Sequence, residues 1–145
     1  MLEKILKQVA EGKLSPEEAK KELATFENLG FAKVDHHRTK RQGFPEVIFG
    51  EGKTASQIIA IAHSIKNRNE NVLVTRIDPK KAKEICTVLP EFVYDETSRT
   101  LMMNQEQTNL KQTGFVAVVC AGTSDLPIAE EAAKTLEAFN IEARR

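Results

Sequence analysis

The sequence predicts an α/β fold in which an N-terminal helical hairpin leads into a small mixed α/β module and, past a polar linker, a last β–α–(β) unit. Three observations predict it. Apolar residues fall at helical spacing over the first 29 residues, with a capping box between them. From residue 46 onward, short apolar runs of strand length alternate with helical patterns, the arrangement of an α/β chain with some parallel pairing. Between them and the last unit lies "NQEQTNLKQTG", Asn104 to Gly114, polar and without a period that buries a face.

Leu2, Ile5, Leu6 and Val9 make the stripe of a first helix, and Gly12 suits its end. The second, "SPEEAKKELATF", has Ser15 as N-cap, Pro16 at the first helical position and Glu18 to close the capping box. Phe31 to Val34 and Glu46 to Phe49 read as short strands around the charged loop "DHHRTKRQGFP". Thr54 caps a helix whose Ile58, Ile61, Ala62 and Ile65 share a face. "NVLVTR" is a buried strand, and Pro79 opens a helix with Ala82, Ile85 and Leu89 inward. "FVYD" and "RTLMM" flank "ETS" as a hairpin. Beyond the linker come a buried strand from Phe115 to Cys120, a turn, a helix to about Phe139, and the start of a strand in "IEARR". The expected domains are 1–104 (hairpin 1–29, α/β module 30–104), a linker at 105–114, and 115–145.

Composition excludes several function classes. At 41% hydrophobic and 29% charged, the 145 residues can build a core. Lys plus Arg and Asp plus Glu are equal at 21 each, so no net field draws nucleic acid or an anionic membrane. The basic cluster Arg38, Lys40 and Arg41 lacks the aromatic interleaving of a nucleic-acid binder. The longest apolar run, Phe115 to Ala121, is far too short to span a bilayer, and the N-terminus lacks a secretory pattern. A cytoplasmic protein with reduced thiols is expected. Cys86 and Cys120 match no metal or redox spacing and read as core residues. Adjacent His36 and His37 lack acidic or thiol partners at ligand spacing, so no metal site is expected. His63 faces away from its helix's apolar stripe.

Two stretches suggest anion binding. "GEGKT", Gly50 to Thr54, is too short for a phosphate-binding P-loop, and Thr54 already has a capping role. "VVCAGTSDLPIAEEA", Val118 to Ala132, is the richer one. Its strand–turn–helix order gathers free backbone N–H groups at the positive end of a helix dipole. Gly122 permits close approach, Thr123 and Ser124 supply hydroxyl donors, and Asp125 has the chemistry to accept from a ribose hydroxyl or to orient a ring nitrogen. Ser, Thr and Asp are also ordinary N-cap residues, so these residues alone fit a cap as well as a phosphate cradle.

The turn resembles the Gly-Ser-x-Ser-Asp-type signature of the AIR-carboxylase-like superfamily. "GFAKVDHHRTKRQGFPEVIFGEGKT" (Gly30 to Thr54), with "NVLVTR" and "YDETSRTL", is similar to the N-terminal module of the nickel-pincer-cofactor biosynthesis carboxylase/hydrolase family. The resemblance runs from Met1 to Arg145. It implies an enzyme that carboxylates the pyridinium ring of nicotinic acid adenine dinucleotide and cleaves its phosphoanhydride. By match, Gly122, Thr123, Ser124 and Asp125 hold the phosphate and ribose; Arg38 and Arg41, which fall in the matching stretch, have the bidentate chemistry for phosphates or the ring carboxylate and equally suit a solvated loop. It further implies CO2 or bicarbonate as co-substrate, Mg2+ as an optional ion, and a homo-oligomeric full-length enzyme. No cofactor is expected in this chain itself, and neither a nucleic acid nor a membrane is an expected partner. The last unit is then the first β–α unit of an incomplete three-layer parallel domain. Since neither cysteine stands at the family's nucleophile position, no catalytic residue is expected here, and the chain is expected to be inactive alone. Two alternatives remain open: an AIR carboxylase-related protein of purine biosynthesis, and a non-enzymatic assembly or nucleotide-binding module.

Overall fold

The computed structural model describes residues 2–23, 26–68, 70–104 and 114–145, with the backbone alone at 21–23, 26, 40 and 41. The linker expected at 105–114 lies, except for Gly114, outside the described residues. The fold class is α/β, as the alternation of patterns predicts.

The chain opens with α1 (Leu2–Ala10) and α2 (Pro16–Leu23), which pack on each other as a helical hairpin. The predicted capping box is present: Ser15 Oγ accepts from the Glu18 N–H at 3.2 Å, and Glu18 Oε2 accepts from the Ser15 N–H at 2.9 Å. The helix, expected to run to Phe26, is described to Leu23. Phe26–Asn28 instead forms β1, which pairs antiparallel with β2 (Lys33–Asp35). The strand expected at Phe31 to Val34 is therefore displaced, because Leu29 to Ala32 makes the hairpin turn, closed by the Leu29 N–H donating to the Ala32 carbonyl at 2.9 Å, and Asn28 Oδ1 accepts from the Gly30 N–H at 2.9 Å.

The charged stretch expected as a loop contains a short helix, α3 (Arg38–Gln42). It ends at Gly43, whose φ of 79° is a left-handed cap that glycine adopts without strain. A four-stranded sheet follows, built from β3 (Val47–Phe49), β4 (Val72–Thr75), β5 (Val93–Asp95) and β6 (Thr100–Met103) in the order β3-β4-β6-β5. β3 and β4 are parallel, joined through α4 (Ala55–Lys66); β6 is antiparallel to both β4 and β5. Thr54 and Gln57 form a full capping box at the start of α4. Asp78 caps α5 (Pro79–Val88) by accepting from the Lys81 N–H at 2.9 Å.

Helices cover both faces of β4, and the period-two alternation of its side chains decides what each face meets. Val72 and Val74 join Ile58, Ile65, Ile77 and Ile85 in the main core under α4 and α5. Leu73, equally buried, points to the opposite face, where α6 (Leu126–Ala138) lies across β4 and β6 with Ala133 and Ala138 buried. The C-terminal segment thus contributes a helix to the sheet, not a strand. Its two strands, β7 (Val116–Ala117) and β8 (Ala143–Arg144), pair parallel with each other as a separate ribbon.

The strand expected to be buried from Phe115 to Cys120 is only two residues long and exposed, with Val119 at 89%. A parallel ribbon with a helix on one side leaves its other face to solvent, and that geometry overrides the apolar sequence. Cys120 is accordingly exposed, not a core residue; Cys86 is half-buried, and burial pushes its thiol up from the usual range.

Candidate functional site

The direction of α6 is fixed by two contacts. At its end, the Ala138 carbonyl accepts from Asn71 Nδ2 at 2.8 Å, just before β4 begins. Nearer its middle, Glu131 Oε2 meets Arg76 Nε at 2.8 Å, just after β4 ends. Helix α6 therefore runs antiparallel to β4, and its N-terminus lies toward the carboxyl end of the β3–β4 pair. The turn at Gly122 to Asp125 is at that end of the molecule.

The turn is open. Every residue from Cys120 to Ile128 is exposed. Asp125 is the N-cap by position, yet its φ and ψ of −90° and −13° are helical and its carboxylate makes no capping bond. The cap suggested by residue type is thus absent, and the helix entrance is closed by backbone alone: the Asp125 N–H donates to the Gly122 carbonyl at 3.1 Å. Gly122 has no positive φ, and a β-carbon there meets only Ser124 Oγ at 3.7 Å and Asp125 Oδ2 at 3.8 Å. The hydroxyl and the carboxylate thus both lie close to an accessible backbone. This arrangement offers N–H and O–H donors to an oxyanion and one carboxylate acceptor to a neighbouring hydroxyl. A shallow groove of about 190 Å³ adjoins it, lined by Val118, Val119, Cys120, Leu126, Ala129, Glu130 and Arg145. Arg145 is held there by Glu130 at 2.7 Å and Glu137 at 2.8 Å.

Arg38 and Arg41 are elsewhere. Helix α3 is tied to the amino end of β4 by Thr39 Oγ1 donating to Glu70 Oε1 at 2.9 Å. Phe44 packs on Phe139, centroids 4.9 Å apart, at the far end of α6. A thirteen-residue helix is about 20 Å long, so within one chain α6 separates these arginines from the turn. Arg38 lies 3.8 Å from Glu46, and the Arg41 side chain lies outside the described residues.

The "GEGKT" loop is occupied by its own chain. Thr54 caps α4, and Lys53 Nζ donates to the Phe49 carbonyl at 2.9 Å. Gly50 is required by close packing, since a β-carbon there stands 2.7 Å from the Thr75 carbonyl oxygen and 2.8 Å from Ile77 Cδ1.

One polar cluster was not legible in the sequence. Buried His36 meets Glu27 Oε2 at 2.9 Å through Nε2, and the same carboxylate oxygen accepts from Ser64 Oγ at 2.5 Å. The Ser64 hydroxyl foremost, with His36 and Arg68 adding to it against the cost of burial, holds the Glu27 carboxyl below its ordinary range. The cluster pins the β1–β2 hairpin to α4. It had no sequence signal, because Glu27 sits beside a segment with helical spacing and its partners are 9 and 37 residues away. Among the described residues no group of three or more His, Cys, Asp or Glu is placed to hold a metal ion, and no helix is long and apolar enough to cross a membrane.

Residues 26–106 match the family described as the LarB/PurE-like N-terminal domain. An uncharacterised protein of Methanocaldococcus jannaschii is 35% identical over 116 residues, which cover 77% of this chain and 45% of that protein. The chain spans about half the length of the curated relative it matches.

Proposed function

The chain belongs to the LarB/PurE-like, AIR-carboxylase-like family, and from that premise we propose that it is the N-terminal portion of a nicotinate-dinucleotide carboxylase/hydrolase of nickel-pincer cofactor synthesis. In this reading the turn Gly122 to Asp125 holds the phosphate and ribose of nicotinic acid adenine dinucleotide. The observation that carries it is the open, uncapped entrance to α6, with Thr123, Ser124 and Asp125 all exposed beside Gly122.

The chemistry of each group follows from its donor type. The backbone N–H groups and the hydroxyls of Thr123 and Ser124 donate to phosphate oxygens, and the helix dipole favours the negative charge. Asp125, free of a capping bond, accepts from a ribose hydroxyl. CO2 or bicarbonate is the co-substrate of the ring carboxylation, and the nucleophile belongs to residues outside this chain. The module's contribution is positional: β4 and β6 carry α6, and α6 carries the turn.

Amide spectra of the 145-residue chain during titration with AMP test this reading. The expected result is a response confined to Gly122 to Asp125 and its neighbours. Silence there overturns the nucleotide-holding role. Turnover of nicotinic acid adenine dinucleotide with bicarbonate by the chain alone overturns the assignment of catalysis to other residues.

A further inference from the structure

Arg76 and Arg99 have left-handed backbones, at φ 56° and 54°. A β-carbon disfavours this conformation and glycine adopts it freely. Asn140, the third such non-glycine residue among those described, is of a type that tolerates it. The two arginines are neighbours in space. The Ile77 N–H donates to the Arg99 carbonyl at 2.9 Å, and the Ile77 carbonyl accepts from Arg99 Nε at 3.4 Å and from the Tyr94 hydroxyl at 3.3 Å. Arginine at two left-handed positions, one of them bonded to the residue that follows the other, singles out this pair of side chains as candidates for a binding role.

Both guanidinium groups face the protein through Nε. Arg76 Nε pairs with Glu131, and Arg99 Nε meets the Ile77 carbonyl. Among the described residues neither pair of terminal nitrogens has a partner, and both arginines are exposed. Of the carboxylates nearest along the chain, Asp78 beside Arg76 is engaged by the backbone N–H of Lys81 and lies 3.5 Å from its Nζ, Asp95 accepts from the N–H and hydroxyl of Ser98, and Glu96, three residues before Arg99, is exposed to solvent. The site is at the carboxyl ends of the parallel pair β3–β4, where α/β sheets take ligands. Lys81 Nζ also reaches the Lys53 carbonyl at 3.1 Å, which draws the loops after β3 and β4 together.

The turn lies at this same end. Asp125 is six residues before Glu131 on α6, about 9 Å along the axis from the residue that Arg76 grips. We propose that the terminal nitrogens of Arg76 and Arg99 form a second oxyanion subsite, which takes a phosphate or carboxylate group of the nucleotide held at Gly122 to Asp125. The planar fork of each guanidinium suits either group. This subsite rests on the nucleotide reading of the turn for its ligand, though not for its geometry.

The test uses the whole chain with three probes: inorganic pyrophosphate, nicotinate and AMP. Pyrophosphate or nicotinate is expected to shift the amides of Ile77 and Arg99, and the stronger of the two identifies the group as phosphate or carboxylate. Arg99→Gly keeps the backbone bond to Ile77 and relaxes the strained φ, so its melting temperature is expected to be unchanged or higher. Its affinity for the stronger anion is expected to fall about tenfold or more. Wild-type affinity in Arg99→Gly, or silent Ile77 and Arg99 amides with both anions, overturns the subsite. AMP shifts at Gly122 to Asp125 alongside that silence leave the nucleotide reading standing and remove only the subsite. Shifts at Ile77 and Arg99 with a silent turn do the reverse.

Discussion

The side-chain amide of Asn71 donates to the Ala138 carbonyl at 2.8 Å, and this buried bond joins the start of β4 to the end of α6. It satisfies one of the carbonyls that a helix end leaves without an intrahelical partner. Asn71→Ala removes the donor and leaves the carbonyl in a dry site, a loss of about 1–3 kcal/mol by the usual cost of an unmet buried acceptor. Chemical denaturation checks this, and an unchanged midpoint shows that the docking of α6 does not depend on this bond.

Phe44 and Phe139 make the second contact at that end, their rings tilted by 38°. Such pairs couple by about 0.5–1.5 kcal/mol beyond their burial. A double-mutant cycle with Phe44→Ala and Phe139→Ala is expected to return a coupling in that range. Additivity within error means the rings adjoin without supporting each other.

The Glu27 cluster sets a pH dependence. The Glu27 carboxyl is below its ordinary value in the folded chain, with Ser64 the foremost cause. A group depressed in this way stabilises the fold fully above its unfolded pKa of about 4.3, and that contribution is lost as pH falls through the lower folded value. Ser64→Ala therefore destabilises at neutral pH and flattens the acid limb of the stability curve relative to wild type. Denaturation midpoints at several pH values between neutral and about 3 read both effects. Parallel curves for the two proteins contradict the assignment.

Local signals proved readable, while pairings across the chain did not. Ser15 with Glu18 and Thr54 with Gln57 cap helices through bonds three residues apart, so residue type and spacing suffice to find the start of α2 and α4. Phe26–Asn28 is a strand only because Lys33–Asp35 pairs with it, and no periodicity survives in three residues. Cys120 sits in an apolar run that suggests burial, yet exposure depends on what packs over the ribbon. The turn's residues were legible, but their lack of a cap was not, since Asp125 has the composition of a cap and the wrong backbone for one. Arg38 and Arg41 share a local basic cluster, and only the path of α6 shows how far they lie from the turn.

Two glycines separate structural from functional need. At Gly50 an added β-carbon stands 2.7 Å from a backbone oxygen that cannot swing away. Gly50→Ala is therefore expected to cost about 1–3 kcal/mol, the usual range for overpacking. At Gly122 the same carbon meets only side-chain atoms at 3.7 and 3.8 Å, which is ordinary contact. Gly122→Ala is expected to leave stability within about 0.5 kcal/mol of wild type, as for a surface change that breaks no named feature. Its β-carbon nevertheless occupies the space through which a phosphate would approach the backbone, so AMP binding is expected to weaken about tenfold or more. Melting curves and AMP titrations of both variants read the contrast. Equal AMP affinity in Gly122→Ala and wild type removes close backbone approach from the account of the turn.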